Sequence, residues 1–207
     1  MPRKQDALAH FKRVDPQFYS ATKAHHASLP GTLSARNTRA QLFASLVSTV
    51  ISQQLGLAAA EAIFSRVKKA CKGRLTPESI LATPPSVFKK AGLSGAKIKT
   101  LKEISKAIQN NSLDLLALKK VSEAEAAEQL MRVWGLGPWS SEMFLMFALG
   151  RPDVFSVGDL GLIRAMEALY GLPKNAPRST LLAIAEKWSP YRTYASLLLW
   201  RTRDKNN

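Results

Sequence analysis

Apolar residues recur along this chain at helical spacing, and nowhere do they alternate as they would in a half-buried strand. Between Thr38 and Ser52 they fall at Leu42, Phe43, Leu46, Val47, Val50 and Ile51, an i, i+1, i+4, i+5 pattern that lines one face of a helix. Leu57 to Ala70 repeats the theme with Ala59, Ile63, Val67 and Ala70. Lys97 to Gln109 sets Leu101, Ile104 and Ile108 on one side, with Lys99, Lys102 and Lys106 on the other. Phe144 to Leu149 is apolar all round, as a fully buried helix would be. Asp15-Pro16, Thr76-Pro77-Glu78, Pro84-Pro85-Ser86 and Arg178-Ser179-Thr180 read as helix starts. Roughly nine or ten helices joined by short loops follow from this punctuation, which predicts an all-α fold.

Charge changes the picture more than composition does. Hydrophobic residues make up 46% and charged ones 22%, ordinary for a globular domain, but 30 Lys+Arg against 15 Asp+Glu leave a net charge of +15. A folded body with that excess attracts polyanions, nucleic acid first among them. A single cysteine, Cys71, excludes an internal disulfide framework and any zinc or iron–sulfur centre built from several thiolates. No signal-like segment follows Met1, and no apolar run approaches the ~18–20 residues that span a bilayer, so an intracellular protein is expected. The histidines, His10, His25 and His26, all lie near the N-terminus; the adjacent His25 and His26 could bind a metal, but neighbours on a helix point in different directions and read as a surface pair.

The candidate chemistry is concentrated in residues 122–164. Ser122 caps a helix with Glu123 and Glu125 in its first turn, and Gly135-Leu136-Gly137-Pro138 then precedes a second helix from Trp139 to Leu149. Two glycines one residue apart force a tight turn without side chains, and Pro138 starts the next helix where its missing N–H costs nothing. The result is a bare helix N-terminus suited to a phosphate, though an ordinary αα-hairpin has the same turn. Phe155-Ser156-Val157-Gly158-Asp159 follows, and Ile163, Met166 and Leu169 continue at helical spacing. By itself an aspartate there is a helix cap.

Together these segments resemble the helix-hairpin-helix, Gly-Pro/Asp superfamily of DNA glycosylases, and most nearly its 3-methyladenine-DNA glycosylase II branch. Ile51-Ser52-Gln53-Gln54-Leu55 is similar to that family's duplex-intruding loop, and Gly92-Leu93-Ser94 with Lys97 and Lys99 is similar to its basic turn before a helix. Trp188-Ser189-Pro190-Tyr191-Arg192-Thr193-Tyr194-Ala195, ending at Trp200, is similar to its C-terminal signature. The resemblance runs from about Thr38 to Trp200. It implies one glycosylase domain over 1–207, made of two helical lobes with the active-site cleft between them. The central lobe would span approximately 45–150 with the hairpin at 122–149, and the second would combine 1–44 with 151–207. The prototype carries an α/β domain before its helical body; here about 37 residues precede the match and are expected to supply a helix around Pro16 to Ala27.

The resemblance also assigns roles. Asp159 would stabilise the oxocarbenium-like transition state and assist water attack, alone, because Gly158 stands where some relatives place a second acid. Trp139, Trp200, Met143 and Leu160 would form the base pocket, whose aromatic rings suit a cationic alkylated purine, while Trp134 and Trp188 would be structural. Gln53, Gln54 and Leu55 would fill the gap left by the extruded base, unless the glutamine pair merely caps a helix end. Gly135, Leu136, Gly137, Ser140, Gly92, Ser94 and Lys97 would hold the DNA backbone. Lys68-Lys69, Lys89-Lys90 and Lys119-Lys120 are solvated faces of which some would line the DNA track. Trp139 replaces the lysine with which strand-cutting relatives attack C1′, so the expected enzyme is monofunctional and leaves an abasic site. No cofactor is required and no side chain is expected to hold a metal; hairpin carbonyls would hold a monovalent cation, Na+ or K+. The partner is double-stranded DNA containing damaged bases, without a membrane, and the protein would act as a monomer wherever the DNA is, in nucleoid or nucleus. A glycosylase for another lesion (hypoxanthine, uracil or an oxidised purine) and a non-catalytic hairpin DNA-binding module remain open at this stage.

Overall fold

The computed structural model describes residues 2–203, which fold as twelve α-helices and two short 3-10 segments with no strand among them. The helices are α1 (Lys4–Val14), α2 (Pro16–Ala21), α3 (Arg39–Ser52), α4 (Leu57–Ala70), α5 (Pro77–Ala82), α6 (Pro85–Ala91) and α7 (Gly95–Gln109), then α8 (Glu123–Met131), α9 (Pro138–Phe147), α10 (Leu160–Tyr170), α11 (Arg178–Glu186) and α12 (Arg192–Arg203). Three start on capping boxes built on a hydroxyl N-cap, Thr38 with Gln41, Thr76 with Ser79 and Ser122 with Glu125. Two expectations change. The helix foreseen around Pro16 to Ala27 stops at Ala21 and continues as a 3-10 turn over Lys23–Ser28. The run from Phe144 to Leu149 is not wholly buried, because α9 ends at Phe147, whose side chain is 46% exposed.

The chain divides into two compact units, one being Ala35–Leu149 and the other the segments before and after it. The division leaves α3 whole, where a boundary near residue 45 would have cut it. In the 35–149 unit α3 is central: Leu42, Phe43, Leu46, Val47, Val50 and Ile51 are all buried, and the helix packs against α4, α7 and α9. The other unit centres on an aromatic cluster. Phe11 meets Phe18 edge-on at 5.2 Å, and Phe18 lies 4.7 Å from the fully buried Trp188. Asp15 is buried within it. Its carboxylate accepts from the Phe18 amide at 3.0 Å, the Tyr170 hydroxyl at 2.6 Å and Trp188 Nε1 at 3.1 Å, donors that offset the cost of burying it. That burial and the adjoining carboxylate push the Tyr170 hydroxyl far above its ordinary range. No described helix is long and apolar enough to cross a membrane.

Candidate functional site

Within the 35–149 unit, three segments meet: the end of α3, the start of α7 and the turn between α8 and α9. Gly135 adopts φ +87°, and a Cβ there would collide with Thr100 Oγ1 and lie 2.8 Å from Thr100 Cβ. The hairpin turn therefore packs directly onto α7, and only glycine fits. Gly137 is different. It is extended, has open space around it, and caps α9 without a side chain, followed by the exposed Pro138. Leu136 does not belong with the phosphate-holding groups: its side chain is 5% exposed and its N–H donates to the Val133 carbonyl at 3.1 Å.

The loop after α3 supplies two further corrections. Gln53 does not project outward. Its Nε2 donates to the Gly135 carbonyl at 3.1 Å and to Ser140 Oγ at 2.9 Å, which ties the loop to the hairpin. Ser140, expected on the backbone of the DNA, is 3% exposed with its hydroxyl in that bond. Gln54 instead takes φ +56° and is exposed, Leu55 is 39% exposed, and Leu57, the first residue of α4, is 76% exposed. Lys97 also departs from expectation. Its ammonium donates to the carbonyls of Ile51 and Gln53, each at 2.8 Å, and partial burial there lowers its pKa from the ordinary lysine value. Gly92, at φ +103°, ends α6, and Ser94 caps α7 by accepting the Lys97 amide at 3.3 Å, so both lie on an exposed turn.

Trp134, read from sequence as structural, is 48% exposed beside the hairpin, with the Lys99 ammonium 4.0 Å from its ring centroid. Trp188 is structural, as its buried bond to Asp15 indicates. Lys119 donates to the Arg36 carbonyl and Asn37 Oδ1, whereas Lys68, Lys69, Lys89, Lys90 and Lys120 are exposed. Trp139 and Met143 line a hollow of about 270 Å³ with Ser48, Thr49, Ser52 and Phe147. It is a little smaller than pockets for drug-sized ligands. A larger hollow of about 650 Å³ lies at the other end of these helices, by Arg39 and Gln109, away from the hairpin.

The carboxylate stands in the other unit. Asp159 caps α10: its Oδ1 accepts from the Leu162 amide at 2.9 Å and from Trp200 Nε1 at 3.0 Å. The charge sits at a helix N-terminus, where the dipole complements it. Trp200, expected only as a pocket wall, thus holds the carboxylate directly. Gly161 makes the approach feasible, since a Cβ there would be 2.9 Å from Asp159 Oδ1 and 3.1 Å from Trp200 Cδ1. Leu160 is 62% exposed beside them.

The same unit holds a clamp that no local sequence signal marks. Asp153 takes a bidentate ion pair from Arg192, at 2.8 and 2.9 Å, and a bond from the Ser189 hydroxyl at 2.8 Å. Burial works to raise its pKa, but Arg192 and Ser189 outweigh it and hold the carboxyl below its ordinary range. Thr193 donates from Oγ1 to the Arg151 carbonyl at 2.7 Å and from its amide to the Pro152 carbonyl at 2.9 Å. These contacts fasten α12, which carries Trp200, to the loop that carries Asp159. They give the C-terminal signature its physical content.

A bare glycine turn onto α9, and a helix-capping aspartate in the segment that follows it, are the arrangement to which comparison with known proteins then puts a family. Residues 47–190 match the model of the HhH-GPD superfamily of base excision DNA repair proteins. The chain belongs to this superfamily. Among its relatives, DNA-3-methyladenine glycosylase 1 of Schizosaccharomyces pombe is 35% identical over 76% of this chain and 70% of its own length. The DNA-3-methyladenine glycosylase of Saccharomyces cerevisiae is 28% identical over 97% of this chain and 80% of its own. A solved structure of the S. pombe 3-methyladenine DNA glycosylase in complex with abasic DNA superposes with a TM-score of 0.87 at 31% identity, covering 96% of both chains. In this HhH-GPD member, sequence reasoning placed the hairpin and Asp159, and it missed the roles of Gly161, Lys99 and the Asp153–Arg192 clamp. The one local sign of the first was a glycine in the opening turn of a helix, two residues after its cap.

Proposed function

We propose that this chain is a monofunctional DNA glycosylase of base excision repair, which hydrolyses the N-glycosidic bond of alkylated purines such as 3-methyladenine and 7-methylguanine. The observation that carries the reading is Asp159, a carboxylate fixed by the Leu162 amide and the Trp200 indole in a member of the HhH-GPD superfamily. The base must first leave the stack. Gln54 and Leu55, exposed on a loop whose root is tied down, are the groups that take its place. The turn at the half-buried Gly137 and the exposed Pro138 holds the DNA backbone, with Gly92 and Ser94 on a second, exposed turn.

Bond cleavage leaves positive charge on the sugar, which the Asp159 carboxylate stabilises while assisting the water that attacks C1′. Trp139 and Met143 receive the base, and a base that is already cationic departs without a strong general acid. Trp200 acts by positioning Asp159. Because Trp139 occupies the position of the strand-cutting lysine, the product is an abasic site. A monovalent cation suits the hairpin backbone: the Val133 and Gly135 carbonyls each accept one hydrogen bond and keep a second lone pair. Such an ion would add positive charge to the backbone grip, and no step of excision passes through it. The enzyme acts on double-stranded DNA as a monomer, inside the cell where that DNA lies.

The test is base release from methylated duplex DNA by the wild type and by Asp159→Asn. Release of 3-methyladenine or 7-methylguanine by the wild type alone, with DNA binding kept by both, supports the reading. Equal release by both removes Asp159 from the mechanism, and release of no methylated base by either removes alkylated purines as the substrate.

A further inference from the structure

The end of α3 carries a cation that its own helix does nothing to favour. Lys97 lies in the first turn of α7, the positive end of that helix, where a lysine is normally disfavoured. Its ammonium is held instead by the carbonyls of Ile51 and Gln53, at the negative end of α3, where orphaned carbonyls need donors. Gln53 is consequently fixed twice: its carbonyl by Lys97, and its side-chain amide by the Gly135 carbonyl and Ser140 Oγ of the hairpin. The next two residues, Gln54 and Leu55, are exposed.

We propose that Lys97 and Gln53 are positioning residues that couple the hairpin's hold on the DNA backbone to the intrusion of Gln54 and Leu55 into the duplex. The inference rests on the glycosylase reading above. Lys97 is then not a phosphate contact. It fixes the root of the intruding loop to α7, Gln53 fixes it to the hairpin, and a duplex seated on the hairpin meets the loop at a set height and angle. Loss of either tie leaves binding intact and makes intrusion inefficient.

The two roles available to Lys97 differ in salt dependence. A phosphate contact contributes about 0.9 to the slope of log affinity against log salt, whereas an internal tie contributes nothing. Lys97→Met and Gln53→Ala are compared with the wild type on an undamaged duplex carrying 2-aminopurine, whose fluorescence rises when it unstacks, and folding is checked by thermal melting. The expected result is an unchanged salt slope with a roughly tenfold loss of unstacking in both variants, the scale of one lost charged or paired hydrogen bond. A slope reduced by about 0.9 in Lys97→Met overturns the proposal in favour of a phosphate contact. Unstacking equal to wild type in Gln53→Ala overturns the coupling, and so does a wild type that unstacks nothing. Should Lys97→Met fail to fold, Gln53→Ala alone decides, since it removes only a partly exposed side chain. Base release is not used in this measurement, so failure of the alkylated-base reading shows separately, in the excision assay.

Discussion

The hairpin region of the 35–149 unit and the Asp159 region of the other unit solve opposite problems. The hairpin offers almost nothing but backbone. Its leucine is buried, its serine hydroxyl is used internally, and Gln53 and Lys97 spend their polar groups on holding loops together. The Asp159 region offers a side-chain charge, bonded by the Trp200 indole and the Leu162 amide and followed by an ion-pair clamp on α12. On the proposed function, grip would be spread over a shape and chemistry concentrated in one group. Substitutions should divide accordingly: in the first region they change stability or binding, in the second they change turnover.

The largest effect is expected from Asp159→Asn. The amide oxygen can still cap α10 and accept from Trp200, so the melting temperature should hold while excision falls at least about a hundredfold, the usual cost of one electrostatic transition-state contact. Single-turnover excision measures it. A fall matched by unfolding would erase the contrast between the regions. Gly135→Ala should be the largest on the hairpin side. A positive φ costs roughly 1–3 kcal/mol and the overlap with Thr100 a similar amount, a large part of a typical 5–15 kcal/mol stability. Gly137→Ala, on extended backbone in open space, should cost only about 0.5–1 kcal/mol, the loss of a better N-cap residue. Denaturant unfolding of the two variants side by side measures the difference.

Gly161→Ala sharpens the comparison further. In a helix alanine is favoured over glycine by about 1 kcal/mol, so local propensity pushes stability up while the new methyl presses on Asp159 Oδ1 and Trp200. Turnover should drop roughly tenfold with little loss of stability, as expected when a reacting group moves by a fraction of an ångström. Turnover equal to wild type would show that the Trp200 bond does not position the carboxylate.

The clamp supplies a pH test. The Asp153 carboxyl titrates below its ordinary range in the folded protein, so the unfolded chain binds its proton first. Its contribution is therefore complete above the unfolded pKa of about 3.9 and is lost as pH falls through the lower folded value. Asp153→Asn should cost about 1–3 kcal/mol at neutral pH, because Arg192 and the Ser189 hydroxyl lose a charged partner. The gap between wild type and variant should narrow only below about pH 4. A gap constant from pH 7 to pH 3 would mean that the ion pair contributes nothing.

How much of this was legible depended on distance along the chain. Helix periodicity, proline starts and capping residues are local, and they placed most of the helices. α1 was passed over although Ala7, Leu8, Phe11 and Val14 have the right spacing, because its cap is an unusual one made by Arg3 with Asp6. The hairpin glycines and Asp159 were legible for the same local reason. The duties of Gln53, Lys97 and Trp200 were not, since their partners lie 82, 46 and 41 residues away. A long polar side chain near a binding motif reads as a contact with the ligand. Here two of the three support the fold beneath the motif, and the third supports the acid.

Lys99 is the smallest expected effect and the most direct check on that lesson. It lies two residues from Lys97 on α7, yet it is exposed and its ammonium sits over the half-exposed face of Trp134 beside the hairpin. A cation held on an aromatic ring loses less freedom when a phosphate arrives, while remaining in solvent until then. Lys99→Met should weaken DNA binding modestly and lower the salt slope by about 0.9. The Trp134 ring would lose its cation, which should alter the indole fluorescence. If the slope stays unchanged in Lys99→Met and falls in Lys97→Met, the two lysines have exchanged the roles assigned to them. The hairpin region would then be a set of direct contacts, not a shape held from within.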